Sequence, residues 1–291
     1  MSAVATAIAQ AARQARRKME TLNTDAEAQL RALYEQIIAL LQEDLRRSGD
    51  AQGTLTLELL THFLRQAQAR WNRWAPEQEK LLLAAIDQAA TIGASIWGVA
   101  GGVPAAGLPA LADAAARFVI QFTAADGLRL SDRLWRLENG AIQQIAEALR
   151  RNILLGRDAS RAAADLLGQP LPLELQRQLG LNRVEALEKP LADVLMRDPN
   201  NAYSRMLRVL RTEMNRAQGE AYRAGAGAHP DVIGERFVLS PNHPKTDVCD
   251  DYARADRYGL GPGVYPVGKA PWPAHPNTMS YLEAVFADEM R

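Results

Sequence analysis

The sequence predicts a mainly α protein: a multi-helix N-terminal and central region followed by a small irregular α+β C-terminal segment. Three observations predict it. Apolar residues recur at three- and four-residue steps through most of the chain up to Gly225-Ala226-Gly227, the period of one helix face. Beyond that point Glu235-Arg236-Phe237-Val238-Leu239 reads as a short strand. Asn242 to Asn277 then holds six prolines and four glycines with little helical period. The chain has 291 residues, 47% of them apolar and 23% charged, which is enough to bury a core and excludes wholesale disorder.

Taken in order, Met1 to Arg17 is Ala-rich with Arg13, Arg16 and Arg17 and lacks the continuous apolar run of a secretory signal, so it reads as a cytoplasmic helix start. Leu30, Leu33, Tyr34, Ile37, Leu41 and Leu45 form one stripe on a helix expected to begin after the cap candidates Thr24 and Asp25 and to end at Ser48-Gly49-Asp50. A second helix is expected from Leu55 to Trp74, and Ala75-Pro76-Glu77 reads as the first turn of a third. Trp71 and Trp74 at that junction are expected to be packing anchors, because no basic cluster surrounds them. Gln88 to Ala112 carries no charge and is long enough to span a bilayer. Its glycines and prolines instead predict a buried helix, a turn around Gly101 to Pro109, and a helix from Pro109 to Phe122.

Ser131 opens the next apolar pattern, from Leu134 to Ile153, which Gly156 is expected to close. Asp158 or Ser160 opens a short helix through Leu167, broken by Gln169-Pro170-Leu171-Pro172. Helices are predicted over Leu173 to Leu179, Arg183 to Leu195 and Ala202 to Ala224, and a last one from Ser280 to Met290. The expected division is 1–123, an N-terminal helical region; 124–229, a helical core; and 230–291, the strand, loop and terminal helix.

Composition narrows the chemistry. Lys and Arg number 34 against 34 Asp and Glu, so a generic nucleic-acid coat held by surplus positive charge is disfavoured. One cysteine, Cys249, closes no intramolecular disulfide. His229, His243, His275, Cys249, Asp247, Asp250, Asp251 and Asp256 crowd the last quarter, and thiol, imidazole and carboxylate at short spacing is the composition of a divalent metal site. Cys249 has no partner two to four residues away, so the same residues also read as a solvated acidic loop around a partly buried thiol. A Cys249-His275 nucleophile pair is a third reading. No phosphate-cradling glycine loop, Gly-x-Ser-x-Gly or His-Glu-x-x-His motif occurs. Arg205, Arg208 and Arg211 step by three along one helix with Arg216 beyond, a ridge that is either ion-paired or available to DNA phosphate or an acidic partner.

Read in order, the C-terminal half resembles the phage Mu F-like family of minor head, or head morphogenesis, proteins. The resemblance rests on the helix from Ile142 to Gly156, Asp158 to Ala163, the stretch Arg211-Thr212-Glu213-Met214-Asn215-Arg216-Ala217, the strand, Asp247-Val248-Cys249, and the closing His275-Pro276-Asn277. It covers about Phe118 to Leu282. In that family the domain ends in Cys-x-x-Cys followed by His-Pro-x-Cys-x-Cys, a pattern suited to a metal or a cross-linked loop. Here Tyr252, Thr278 and Ser280 stand where the other cysteines would fall. The resemblance leaves Cys249, His275 and Asp247 as a degenerate ligand set for zinc, and the expectation is no cofactor, the loop being held by Tyr252, Tyr258, Tyr265, Trp272 and its prolines.

The resemblance implies a non-enzymatic structural component of a tailed-phage head, in the virion and in the host cytoplasm during assembly. Its implied partners are the portal, the major capsid protein and packaged DNA, with no small-molecule substrate and no membrane. Two alternatives remain open: an internal protein ejected with DNA that meets a membrane through Gln88 to Ala112, and a metal-dependent hydrolase or nuclease using Asp247, Cys249, Asp250 and His275.

Overall fold

The computed structural model describes residues 2–99, 103–124, 126–167, 183–241, 243, 246–276, 278 and 280–289, with 156–167 described as backbone only. It is mainly α with a small α+β C-terminal segment. The helices are α1 (Ala3–Arg47), α2 (Leu57–Ser95), α3 (Leu108–Gln121), α4 (Leu130–Leu167), α5 (Val184–Ala192), α6 (Ala202–Ala228) and α7 (Val248–Arg254). Strands β1 (Val232–Val238), β2 (Val264–Tyr265) and β3 (Tyr281–Phe286) form one antiparallel sheet in the order β2-β1-β3. Two compact units form, each from several stretches of chain. One comprises Met1–Glu27, Leu81–Ser131 and Leu207–Arg291, the other Ala28–Lys80 and Asp132–Met206.

Helix boundaries differ from the sequence expectation where polar or breaker residues are absorbed. α1 begins at Ala3, not after Thr24. Thr21, Asn23 and Thr24 bond back to the carbonyls of Arg17, Met19 and Glu20 at 3.2, 2.9 and 3.0 Å, so side chains that cap helices elsewhere are satisfied inside this one. Ala5, Ile8, Ala12, Ala15 and Met19 are buried at three- and four-residue steps, a stripe of mostly small residues that carries the helix through its Ala-rich start. α2 is likewise one helix with Pro76 inside it. Trp71, Trp74 and Ala75 before that proline and Leu82, Ala85 and Ile86 after it are all buried, and this burial offsets the ladder bond that proline cannot make. α4 runs through Gly156 and Asp158 without a break. The expected final helix is instead strand β3, whose backbone pairs with β1 from Val232↔Phe286 to Val238↔Tyr281. Of the predicted turn around Gly101 to Pro109, residues 101 and 102 lie outside the described residues, and the rest holds a single 3-10 turn, Ala105–Gly107, leading into α3. The break at Gln169 to Pro172 and the helix from Leu173 to Leu179 lie outside the described residues. Together with the 3-10 turn Ile96–Gly98 that follows it, α2 makes a helical run, Leu57–Gly98, long and apolar enough to cross a membrane by length and composition, and 50% of its most apolar window is buried inside the protein.

In the unit containing Ala28–Lys80, the core is aromatic. Tyr34, Trp71, Trp74 and Tyr203 meet edge to face, with Tyr34 5.2 Å from Trp74 and 5.6 Å from Tyr203 between ring centroids. The Tyr34 hydroxyl donates to the Ala202 carbonyl at 3.3 Å, and burial pushes its pKa up. Asp44 accepts from Arg70 Nε and Nη2, a bidentate pair along one guanidinium edge, and Glu188 holds Arg46 at 2.6 and 2.8 Å.

The other unit closes around Ile8, Ala12, Trp97, Tyr222, Phe237, Cys249, Tyr265, Trp272, Leu282 and Phe286. Its helices approach closely at glycines. A Cβ on Gly93 would stand 2.2 Å from the Gln218 carbonyl oxygen, on Gly219 2.0 Å from the Trp272 indole nitrogen, and on Gly225 2.1 Å from the Trp97 ring. Tyr222 accepts the Ala284 N–H at 2.7 Å, tying α6 to β3. Arg223 reaches Glu220 and Glu235 at 3.3 Å each and the Ala270 carbonyl at 3.0 Å. Burial raises the pKa of both glutamates despite that guanidinium.

Two predictions follow from this packing. Gly93→Ala is expected to cost about 1–3 kcal/mol in denaturant unfolding, because the obstacle is backbone. Gly140→Ala, where a Cβ meets only an arginine tip at 3.9 Å, should stabilise α4 by about 0.5–1 kcal/mol. Because the folded state holds protons on Glu220 and Glu235 more tightly than the unfolded chain does, the cost of burying their charges is full above the raised folded pKa. That cost is relieved as pH falls toward the ordinary glutamate range. Urea midpoints of the native chain and of the Glu220→Gln/Glu235→Gln variant, compared at neutral and mildly acidic pH, should differ in slope, with the variant losing this acid-side gain.

Candidate metal centre

α7 is positioned by its own first residues. Asp247 is the N-cap: its Oδ1 accepts the Cys249 N–H at 2.7 Å, while Asp250 Oδ2 accepts the Asp247 N–H at 2.9 Å, a reciprocal capping box. Those backbone bonds hold both carboxyls below the usual carboxylate range. Asp250 is fully engaged, since His243 Nε2 lies 2.9 Å from Oδ2 and Arg254 donates to Oδ1 at 3.2 Å. Its neighbour Asp251 points the other way and is exposed, so the two adjacent carboxyls do not form an acid/base pair.

The cap points Cys249 into the core, where it is 0% exposed and burial pushes its thiol pKa up. The segment ahead of β3 comes to meet it. Cys249 Sγ lies 3.2 Å from His275 Nε2 and 3.5 Å from Thr278 Oγ1, and Asp247 Oδ2 lies 3.2 Å from the same His275 nitrogen. Ser280, 1% exposed, turns its hydroxyl toward the thiol. That segment is anchored to α6 by Asn215 Nδ2, which donates to the Thr278 carbonyl at 2.8 Å. The structure therefore gathers Asp247, Cys249 and His275, the three ligand candidates, and adds Ser280 and Thr278 beside them. His243, Asp247 and Asp250 form a second cluster sharing Asp247, on the spacing His243 to Asp247 that sequence reading passed over.

The arrangement discriminates between chemistries. In a nucleophilic Cys-His-Asp relay the imidazole uses one nitrogen for the thiol and the other for the carboxylate. Here both face Nε2, and Nδ1 donates to the Pro276 carbonyl at 2.9 Å. A fully buried thiol of raised pKa is also a weak nucleophile. Convergence of sulfur, nitrogen and oxygen lone pairs within 4.8 Å of one another is a donor set that a divalent cation could use.

The arginine ridge is distributed differently. Arg208 is exposed and Arg205 half-buried. Arg211 pairs with Glu27, and Arg216 is buried against Glu213 with its guanidinium 4.4 Å from the centre of the Phe122 ring. No protein-family model, curated protein or solved structure matches the chain. Beside the Cys–His cluster, a cleft of about 320 Å³ is lined by Arg16, Glu27, Arg211, Asn215, Thr278 and Tyr281 among others, with charges of both signs. It shares Thr278 with the cluster but presents no nucleophile or general base in a tuned pair. Its signal was not in any motif; it arises where α1, α6 and the segment before β3 meet.

The capping box generates a direct expectation. Asp250→Ala, which removes the acceptor for the Asp247 N–H, should lower stability by about 1 kcal/mol in equilibrium denaturation. Asp247→Asn, which keeps a good N-cap oxygen, should change it by less than half as much.

Proposed function

We propose that the chain is a minor structural component of a tailed-phage head, acting by docking to the portal or major capsid protein near the packaged DNA. The observation that carries this reading is that the two best pieces of the resemblance form one structural unit. Thr212, Glu213 and Arg216 of the Arg-Thr-Glu stretch are buried in the unit that holds the sheet. Asn215 of the same stretch bonds the Thr278 carbonyl, three residues beyond His275. Two distant motifs that recur in order and touch are what a domain-defining signature requires, because buried, mutually bonded residues tolerate little substitution. Exposed Arg208 is the ridge residue that a partner surface or DNA phosphate would meet.

The test is compositional. Particles induced from the strain that carries the gene, banded by density and examined by mass spectrometry, should contain this chain at low copy together with the portal. Complete heads with portal and without the chain would overturn the reading, and recovery of the chain in the membrane fraction after infection would favour the ejected-protein alternative. Arg208→Glu should weaken capture of the chain by portal-containing heads several-fold at low salt, with the difference shrinking as salt rises. Arg216→Ala is expected to act on stability instead, leaving the Glu213 carboxylate buried without that partner.

A further inference from the structure

We propose that Asp247, Cys249 and His275 bind one zinc-class divalent cation, which ties the start of α7 to the segment entering β3. Sulfur and imidazole nitrogen with one carboxylate oxygen is a borderline-soft set, which selects zinc-like ions over calcium or magnesium, whose shells are built from six or more oxygens. The placement of the imidazole is the deciding point. With Nδ1 donating to the Pro276 carbonyl, Nε2 is the His275 atom that faces the cluster. It stands 3.2 Å from Cys249 Sγ and 3.2 Å from Asp247 Oδ2, so three donor atoms of different elements converge on one point.

The spacing suits the metal. Tetrahedral zinc with ordinary bond lengths separates its sulfur, nitrogen and oxygen ligands by roughly 3.4–3.6 Å, a few tenths of an ångström from the separations here. Asp247 divides its oxygens cleanly, Oδ1 serving the helix cap and Oδ2 facing the cluster. Ser280 Oγ, buried beside the thiol, is the nearby polar atom for the fourth position or for a water that fills it. The alternative cluster of His243, Asp247 and Asp250 is the poorer host. Asp250 already serves the capping box and Arg254, and His243 Nε2 is spent as its neighbour. The ion's role is that of a cross-link between residues 26 positions apart in sequence, Cys249 and His275, on a buried thiol and a half-exposed ring.

The experiment uses the full chain, stripped with chelator and reloaded with zinc or cobalt. One equivalent of metal should bind, measured by elemental analysis, and cobalt should show thiolate-to-metal charge transfer with intense tetrahedral d–d bands. His275→Gln, on a partly exposed side chain, should weaken binding at least tenfold, and Cys249→Ser should abolish the charge-transfer band. Asp247→Asn keeps the cap and should also lose at least tenfold. His243→Gln should retain one equivalent. Chelation should lower the melting temperature of the native chain and leave that of His275→Gln unchanged. No stoichiometric metal at micromolar ion would overturn the proposal in favour of an imidazolium, as would binding that survives His275→Gln and Cys249→Ser or is lost in His243→Gln.

Discussion

The C-terminal unit depends on a helix face that has no side chains where its neighbours need room. Gly219 and Gly225 on α6 receive the edges of Trp272 and Trp97, and Gly93 on α2 lies against the Gln218 carbonyl. Close backbone approach is a dispersion-rich contact, and it works only because glycine supplies no Cβ at those points. Trp272 sits three residues ahead of His275, so the seat on Gly219 fixes where the segment before β3 begins. Asn215 then fixes where that segment ends, and Cys249 meets what lies between. The geometry of the ligand cluster is therefore a consequence of helix packing rather than of the loop's own preferences.

How much of this was legible depended on whether the signal was local. The fold class, the strand at Glu235 to Leu239, the helix over Ala202 to Ala224 and the anchoring role of Trp71 and Trp74 could be read because period and composition alone carry them. Helix boundaries could not. Thr24 and Pro76 each have a strong local preference that was overridden, by a bond to a carbonyl one turn back and by burial on both sides respectively, and α4 continues through Gly156. Ser280 to Met290 carries enough polar residues to mimic a helix end, but β1 offers it a full ladder of partners, and pairing decided the outcome. The ligand set was nameable from chemistry. Its convergence, with both partners on one imidazole nitrogen, was not, because that depends on a contact between residues 26 positions apart.

A row of arginines in sequence carries two meanings that only burial separates. Arg216 lies inside, stacked on Phe122 and paired with Glu213, where its guanidinium shapes the core, while Arg208 stands in solvent one helix face away. The Arg-Thr-Glu stretch is in this light a determinant of folding first. The mixed-charge cleft takes Arg211 and Asn215 from that same stretch and Arg16 and Glu27 from α1.

The five indoles are divided in a way that has a spectroscopic consequence. Trp71 and Trp74 are buried in one compact unit and Trp97 and Trp272 in the other, while Trp135 is 65% exposed. Emission from each buried pair is shielded by its own core and shifts to longer wavelength only when that core admits water. Replacing one pair and Trp135 by phenylalanine would leave a chain whose fluorescence reports the opening of one aromatic core, so each unit carries its own optical probe.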